Sequence, residues 1–206
     1  MALVKYNNNS LSAITAASSL PTGAMTLIKE QTASSSSTIS FVDGTSDVVL
    51  DDTYPIYVFK FYNIHPATDQ VDLMYNFSVD TGSNYNVTKT STKTLAYHKE
   101  DGSDTNLQYN TALDIAQGTG FDSVVGDVGN ENDESASGAF YLFSPSSTTF
   151  IKHYLIRGSL NNGSYAQDEI KSGYANTTSA IDAVQFKMAS GNIDAGTIKL
   201  YGIKDS

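Results

Sequence analysis

The chain has 206 residues, no cysteine, no tryptophan and a formal net charge of −10, with 22 acidic against 12 basic residues. The lack of cysteine excludes thiol catalysis, cysteine-ligated zinc and disulfide bonds. Arg157 is the only arginine. Direct contact with DNA or RNA is therefore not expected, because binding to phosphates requires clustered basic side chains.

The composition favours strands over helices. Ser, Thr and Asn together account for 62 residues, and 13 Tyr and 9 Phe supply aromatic side chains. Thr and aromatic residues are enriched in strands, whereas Lys and Glu are depleted there. The length suits one all-β domain, which at this size buries roughly 70% of the surface of the unfolded chain. We expect one hydrophobic core that needs neither a metal nor a disulfide.

The first 23 residues are polar and small, with scattered apolar side chains. We expect residues 1–23 to form an N-terminal arm that attaches the protein to a partner, and residues 24–206 to form a β-sandwich domain. The arm lacks the apolar core of a signal peptide, and no segment of the chain approaches the ~20 apolar residues of a membrane span. The candidate partner-binding residues are the larger apolar side chains of the arm: Leu3, Val4, Tyr6, Leu11, Ile14 and Leu20.

Many short alternating or β-branched segments separated by turn residues predict an all-β, jelly-roll-like antiparallel sandwich of about ten strands. Residues 106–116 could form one short helix between strands, and residues 118–138 are loop-like. The last segment is so apolar that we expect it to be buried in a sheet. The predicted strands cover residues 25–29, 38–42, 54–62, 71–79, 87–97, 139–143, 150–157, 169–174, 181–188 and 197–203.

No motif for catalysis, a cofactor or a metal stands out. His65, His98 and His153 lack the spacing of metal ligands, and no Gly-x-Ser-x-Gly elbow is present. Glutamates are too few to indicate a glycosidase pair. The acidic tract of residues 126–134 offers oxygen ligands, but their order does not match an EF-hand loop. A solvated loop is favoured there over a weak cation site, and we expect neither an enzyme nor a cofactor.

Three segments resemble bacteriophage virion structural proteins, especially those of marine and cyanobacterial phages. The first is the strand and corner Tyr57-Val-Phe-Lys-Phe-Tyr-Asn-Ile-His-Pro-Ala-Thr-Asp69. The second is the ending Ser190-Gly-Asn-Ile-Asp-Ala-Gly-Thr-Ile-Lys-Leu-Tyr-Gly-Ile-Lys204, and the third is the beginning Met1-Ala-Leu-Val-Lys-Tyr6. The resemblance implies a jelly-roll-like sandwich on a phage particle, with no catalytic residues to carry over.

This resemblance implies a non-enzymatic protein on the virion surface, made in the host cytoplasm. A capsid decoration protein is favoured, with the major capsid protein as partner. The alternatives are a tail fibre, adaptor or baseplate component that contacts tail proteins, and a lectin-like module that binds a host glycan through exposed tyrosines such as Tyr85 or Tyr165. A homo-oligomer such as a trimer is expected, and contact with nucleic acid or membrane is not.

Overall fold

The computed structural model describes residues 24–204, and within that range the chain forms twelve strands and no helix. The predicted partner-binding residues of the arm lie outside the described residues. The strands are β1 (Met25–Thr32), β2 (Ile39–Val42), β3 (Ile56–Pro66), β4 (Val71–Ser78), β5 (Lys89–Lys99), β6 (Thr105–Tyr109), β7 (Asp122–Val128), β8 (Ala136–Phe143), β9 (Lys152–Asn161), β10 (Tyr165–Ala175), β11 (Ala183–Met188) and β12 (Ile193–Ile203).

The strands form two antiparallel sheets in jelly-roll order. The larger sheet runs β1-β12-β3-β8-β9-β10-β5-β6, and the smaller runs β2-β11-β4-β7. Eight strands form four nested antiparallel pairs: β1 with β12, β2 with β11, β3 with β8 and β4 with β7. Successive pairs alternate between the two sheets, as in a jelly roll. The predicted fold class is confirmed.

Two inserted hairpins widen the larger sheet. The β5-β6 hairpin lies between β4 and β7 in the chain, and the β9-β10 hairpin lies between β8 and β11. These four strands follow β8 in the sheet because β9 pairs with β8 and β5 pairs with β10. The insertions double the number of strands in the larger sheet and leave the smaller sheet at four.

The core between the sheets is strongly aromatic. Phe59 and Phe140 enter from the larger sheet, Tyr75 and Phe186 enter from the smaller one, and none of the four is exposed. The rings of Tyr75 and Phe140 meet edge to face, with centroids 4.8 Å apart, and those of Phe59 and Phe186 are 5.5 Å apart. Such pairs add about 0.5–1.5 kcal/mol each beyond the burial of their area.

The C-terminal strand is part of this core. β12 lies between β1 and β3, and Ile198 and Leu200 have no exposed surface. Its backbone is hydrogen-bonded on both sides, which an edge strand could not achieve. The expectation that the apolar ending is buried in a sheet is confirmed.

The helix predicted over residues 106–116 is wrong. The chain runs along β5 as strand β6 and then turns. Asn110 Oδ1 accepts a hydrogen bond from Ala112 N at 3.0 Å, while Ile115 and Ser91 exchange hydrogen bonds through N–H, carbonyl and hydroxyl groups. These bonds satisfy the backbone of the turn and compete with helix formation.

The prediction that residues 118–138 are loop-like is also wrong in part. β7 lies within this segment, and Val124, Val125 and Val128 are each 1% exposed or less. Gly126 interrupts the apolar pattern of β7, so the strand is difficult to recognise from the sequence. A Cβ at Gly126 would lie 2.6 Å from Leu113 Cδ1, so the Leu113 side chain would have to move to admit one.

Candidate interaction surface

The larger sheet presents a broad outer face on the side away from the core. Side chains alternate strictly along β9, so that Tyr154 and Ile156 are buried while Leu155 and Arg157 lie on the outer face. The inserted strands β9, β10, β5 and β6 continue this face beyond the jelly roll itself. The face is therefore assembled largely from the inserted hairpins.

Apolar side chains are exposed on this face. Leu155 and Ile170 expose 48% and 47% of their surface, and Leu107 and Tyr109 in β6 expose 76% and 49%. Strand register places Tyr109 opposite Thr94, and Thr94 opposite Ile170. The side chains of Tyr109 and Ile170 therefore lie in one row across the sheet. Apolar side chains gathered on one exposed face are typical of interaction sites.

A shallow trough of about 580 Å³ crosses the middle of the face. Its floor consists of small side chains, including Ala139 and Ser159, and Tyr141 lies on one side. On the other side, the guanidinium of Arg157 donates two hydrogen bonds to the carboxylate of Asp168, at 3.0 and 2.9 Å. The trough thus places an aromatic ring, small side chains and an ion pair side by side.

A second shallow pocket lies where β5, β6 and β10 meet. The rings of Tyr97 and Tyr165 meet edge to face there, with centroids 5.3 Å apart. Amide side chains from Asn110 and Asn162 line the same pocket, together with Asp127. Aromatic faces beside amides and a carboxylate can stack on and hydrogen-bond to a polar ring compound.

Among residues 24–204, the face ends in two strand edges that pair with no further strand. β1 and β6 are the outermost strands of the larger sheet, and all five residues of β6 are exposed. β6 contains neither a charged residue nor proline, which are two of the usual features that block an edge from pairing with another strand. The backbone of β6 is therefore accessible to a partner.

Beneath the inserted strands lies a cluster of buried charges. Lys93 Nζ is 2.9 Å from Glu169 Oε2, and both side chains are almost completely buried. Lys171 Nζ contacts Asp122 Oδ1, and this pair is equally buried. The first pair joins β5 to β10 within the larger sheet, and the second joins β10 to β7 of the smaller sheet.

Lys89 extends this cluster without a carboxylate partner in the part of the chain that the structure describes. Its ammonium group donates hydrogen bonds to Asn76 Oδ1 at 2.7 Å and to the carbonyl oxygen of Gly120 at 2.6 Å. Burial lowers the pKa of Lys89 to about 8. Burial also lowers the pKa of Lys171 to about 8 and raises that of Glu169.

The candidate ligand residues from the sequence do not come together. His65 lies near the end of β3, within 3.8 Å of Asp194, while His98 and His153 lie on β5 and β9. In the acidic tract, Glu134 is buried and accepts a hydrogen bond from Glu131 N at 2.9 Å. Within residues 24–204, no three His, Asp or Glu side chains gather as metal ligands do.

The buried lysines were missed by sequence reasoning. Lys89, Ser91 and Lys93 alternate with threonines, so both faces of β5 look polar. Their spacing could have revealed them. Val87 lies two residues before Lys89, Leu95 lies two residues after Lys93, and both apolar side chains are buried, so every second residue between them is expected to face the core.

Comparison with family models, with curated proteins and with solved structures finds no match to the chain. Among residues 24–204 there is no helix with the length and apolar character to cross a membrane.

Proposed function

We propose that the protein is a non-enzymatic structural protein of a bacteriophage virion, and specifically a capsid decoration protein that is anchored through residues 1–23. The jelly-roll order supports this, because the same arrangement builds viral capsid proteins. Two of the three segments that resemble phage virion proteins correspond to β3 with its corner and to β12, two neighbouring strands of the larger sheet. The third segment, residues 1–6, lies outside the described residues.

Since one fold serves many functions, the proposal depends chiefly on the outer face of the larger sheet. Leu155 and Ile170 are about half exposed there, beside a trough of small side chains. A broad, shallow face with exposed apolar side chains suits contact with another large surface better than capture of a small molecule. In this proposal the face lies against the major capsid protein while the arm supplies the anchor.

Binding to particles tests the proposal. Purified protein is added to phage particles that lack it, and occupancy and position are measured by gel densitometry and cryo-electron microscopy. We expect the protein to occupy the head at a fixed copy number. Removal of residues 1–20 should leave the sandwich folded, as judged by circular dichroism, but should abolish binding.

A substitution on the face separates its role from that of the arm. Leu155→Asp should weaken binding, whereas Ser83→Asp, at an exposed loop position, should bind as the unmodified chain does. Full occupancy by the truncated chain would contradict the anchor. Density on the tail would instead support a fibre, adaptor or baseplate role with tail proteins as partners.

A glycan-binding module is the second candidate, favoured by the pocket that contains Tyr97 and Tyr165. Lectin domains also use the jelly roll, and tyrosine rings can stack on sugars. Binding to a glycan array that is lost in Tyr165→Ala but kept in Tyr85→Ala would support this function. An array without signal above background would exclude it for the glycans displayed.

A further inference from the structure

We propose that Lys171 and Asp122 condense to form an isopeptide bond between their side chains, linking β10 to β7. The two strands belong to different sheets, so the bond would join the inserted part of the larger sheet covalently to the smaller sheet. This inference does not depend on the virion role.

The first argument is placement. Lys171 Nζ donates hydrogen bonds to Asp122 Oδ1 and to the carbonyl oxygen of Leu113, the latter at 2.8 Å. The two side chains are only 1% and 3% exposed, so they are held in contact by the packed interior. Fixing two reactants in this way replaces a bimolecular encounter by an intramolecular reaction, for which effective molarities are very high.

The second argument is charge. A buried ion pair carries a large desolvation cost that its mutual attraction often fails to offset. Burial lowers the pKa of Lys171 to about 8, which makes the neutral, nucleophilic amine accessible. Condensation replaces one ammonium and one carboxylate by a neutral amide, so it removes both charges from the interior.

The third argument is the surroundings of the carboxyl group. Asp122 Oδ2 accepts hydrogen bonds from the hydroxyl groups of Tyr75 at 3.0 Å and Ser91 at 2.8 Å. When the amine attacks Cγ, negative charge develops on this oxygen, and the two hydroxyl donors are already aimed at it. Preorganised donors of this kind are a major source of transition-state stabilisation.

Glu169 is the acidic side chain that we place in the role of proton carrier. Glu169 precedes Lys171 by two residues, so the two side chains share one face of β10. Burial raises the pKa of Glu169, and Lys93 lies 2.9 Å away. We assign to Glu169 the transfer of a proton from the attacking amine to the departing oxygen.

The reaction is balanced without any further reagent. The ammonium of Lys171 passes one proton to the carboxylate of Asp122, and the amine lone pair then forms the Nζ–Cγ bond. A second proton leaves nitrogen through Glu169 and reaches the carboxyl oxygen, whose bond to Cγ breaks. The products are one amide and one water molecule.

Intact mass measurement on the purified full-length chain tests the bond. After allowance for the initiator methionine, we expect a mass lower than the sequence mass by one water molecule. Peptide mapping should yield a branched peptide that joins residue 122 to residue 171. A chain with the full sequence mass overturns the proposal, as does a branch between Lys93 and Glu169, or a loss of ammonia from Lys89 and Asn76.

Variants assign the roles. Lys171→Arg should restore the full sequence mass. Lys199→Arg is the matched control, because Lys199 Nζ also contacts a carboxylate, that of Glu30 at 2.9 Å, but in a partly exposed pair. The Lys199→Arg chain should retain the loss of water. Glu169→Gln should fold with Lys171 and Asp122 present but unlinked. A complete bond in Glu169→Gln would remove Glu169 from the mechanism.

Discussion

Replacing Lys89 by Met should change how stability depends on pH. Lys89 has no exposed surface, and its ammonium group is held by amide and carbonyl oxygens rather than by a carboxylate. Burial lowers its pKa from 10.5 to about 8. Since one pKa unit corresponds to about 1.4 kcal/mol, the charged form costs the folded state about 3 kcal/mol at neutral pH.

The direction in which the free energy of unfolding changes with pH follows from proton binding. Between about pH 8 and about pH 10.5 the unfolded chain holds a proton on Lys89 that the folded chain has lost, so the free energy of unfolding rises with pH across this window. From about pH 7 to about pH 9.5 the unmodified chain should gain about 2 kcal/mol that Lys89→Met does not gain. Tyr57 and Tyr154, whose pKa values burial raises, are common to both chains and cancel in the comparison.

The assay is urea unfolding at a series of pH values, followed by circular dichroism because the chain has no tryptophan. The comparison concerns only the dependence on pH, since Lys89→Met also removes the Lys89 donor to the Gly120 carbonyl and one of the two donors to Asn76 Oδ1. Lys199→Met, at a partly exposed position on β12, should keep the dependence of the unmodified chain. Equal dependence in the Lys89→Met chain and the unmodified chain would refute the argument.

Two further pairs of substitutions test the packing by chemical unfolding. Leu200→Ala should lower the free energy of unfolding by about 2–5 kcal/mol because Leu200 is fully buried, whereas Leu107→Ala, at a side chain that is 76% exposed, should change it by less than about 0.5 kcal/mol. Gly158→Ala should cost about 1–3 kcal/mol, since its Cβ would lie 2.2 Å from Val125 Cγ1; Gly120→Ala meets no atom within 4 Å and should be neutral. Equal losses within either pair would contradict the assigned burial or contact.

The parts of the fold that could be predicted are those with a clear period of two. β4 and β12 alternate or are densely apolar, and both were assigned from sequence. β7 was missed because it is buried along nearly its whole length and contains Gly126, which together remove the alternation. β6 was taken for a helix because Leu107 and Tyr109 are apolar yet exposed at the sheet edge.

The candidate sites were harder to predict, for a different reason. Leu155 and Ile170 lie in segments that were correctly assigned as strands, but which face of a sheet remains uncovered depends on pairing between distant strands. The buried charges depend on the same pairing, because Asp122 comes from the missed strand β7. A lysine in a strand is expected on the surface unless its partner is known.

The insertions themselves explain why charges are buried in this part of the fold. Among residues 24–204, β7 is the last strand of the smaller sheet, and it covers the inner faces of β10 and β5 only in part. The turn that follows β6 provides part of the cover, and it presents backbone carbonyl groups that need donors. Lys171 donates to the carbonyl of Leu113, and Lys89 donates to that of Gly120. Lysine side chains, which are long and carry several N–H groups, therefore suit a position beneath this turn better than apolar side chains would. The carboxylates of β7 and β10 balance part of the positive charge of these lysines.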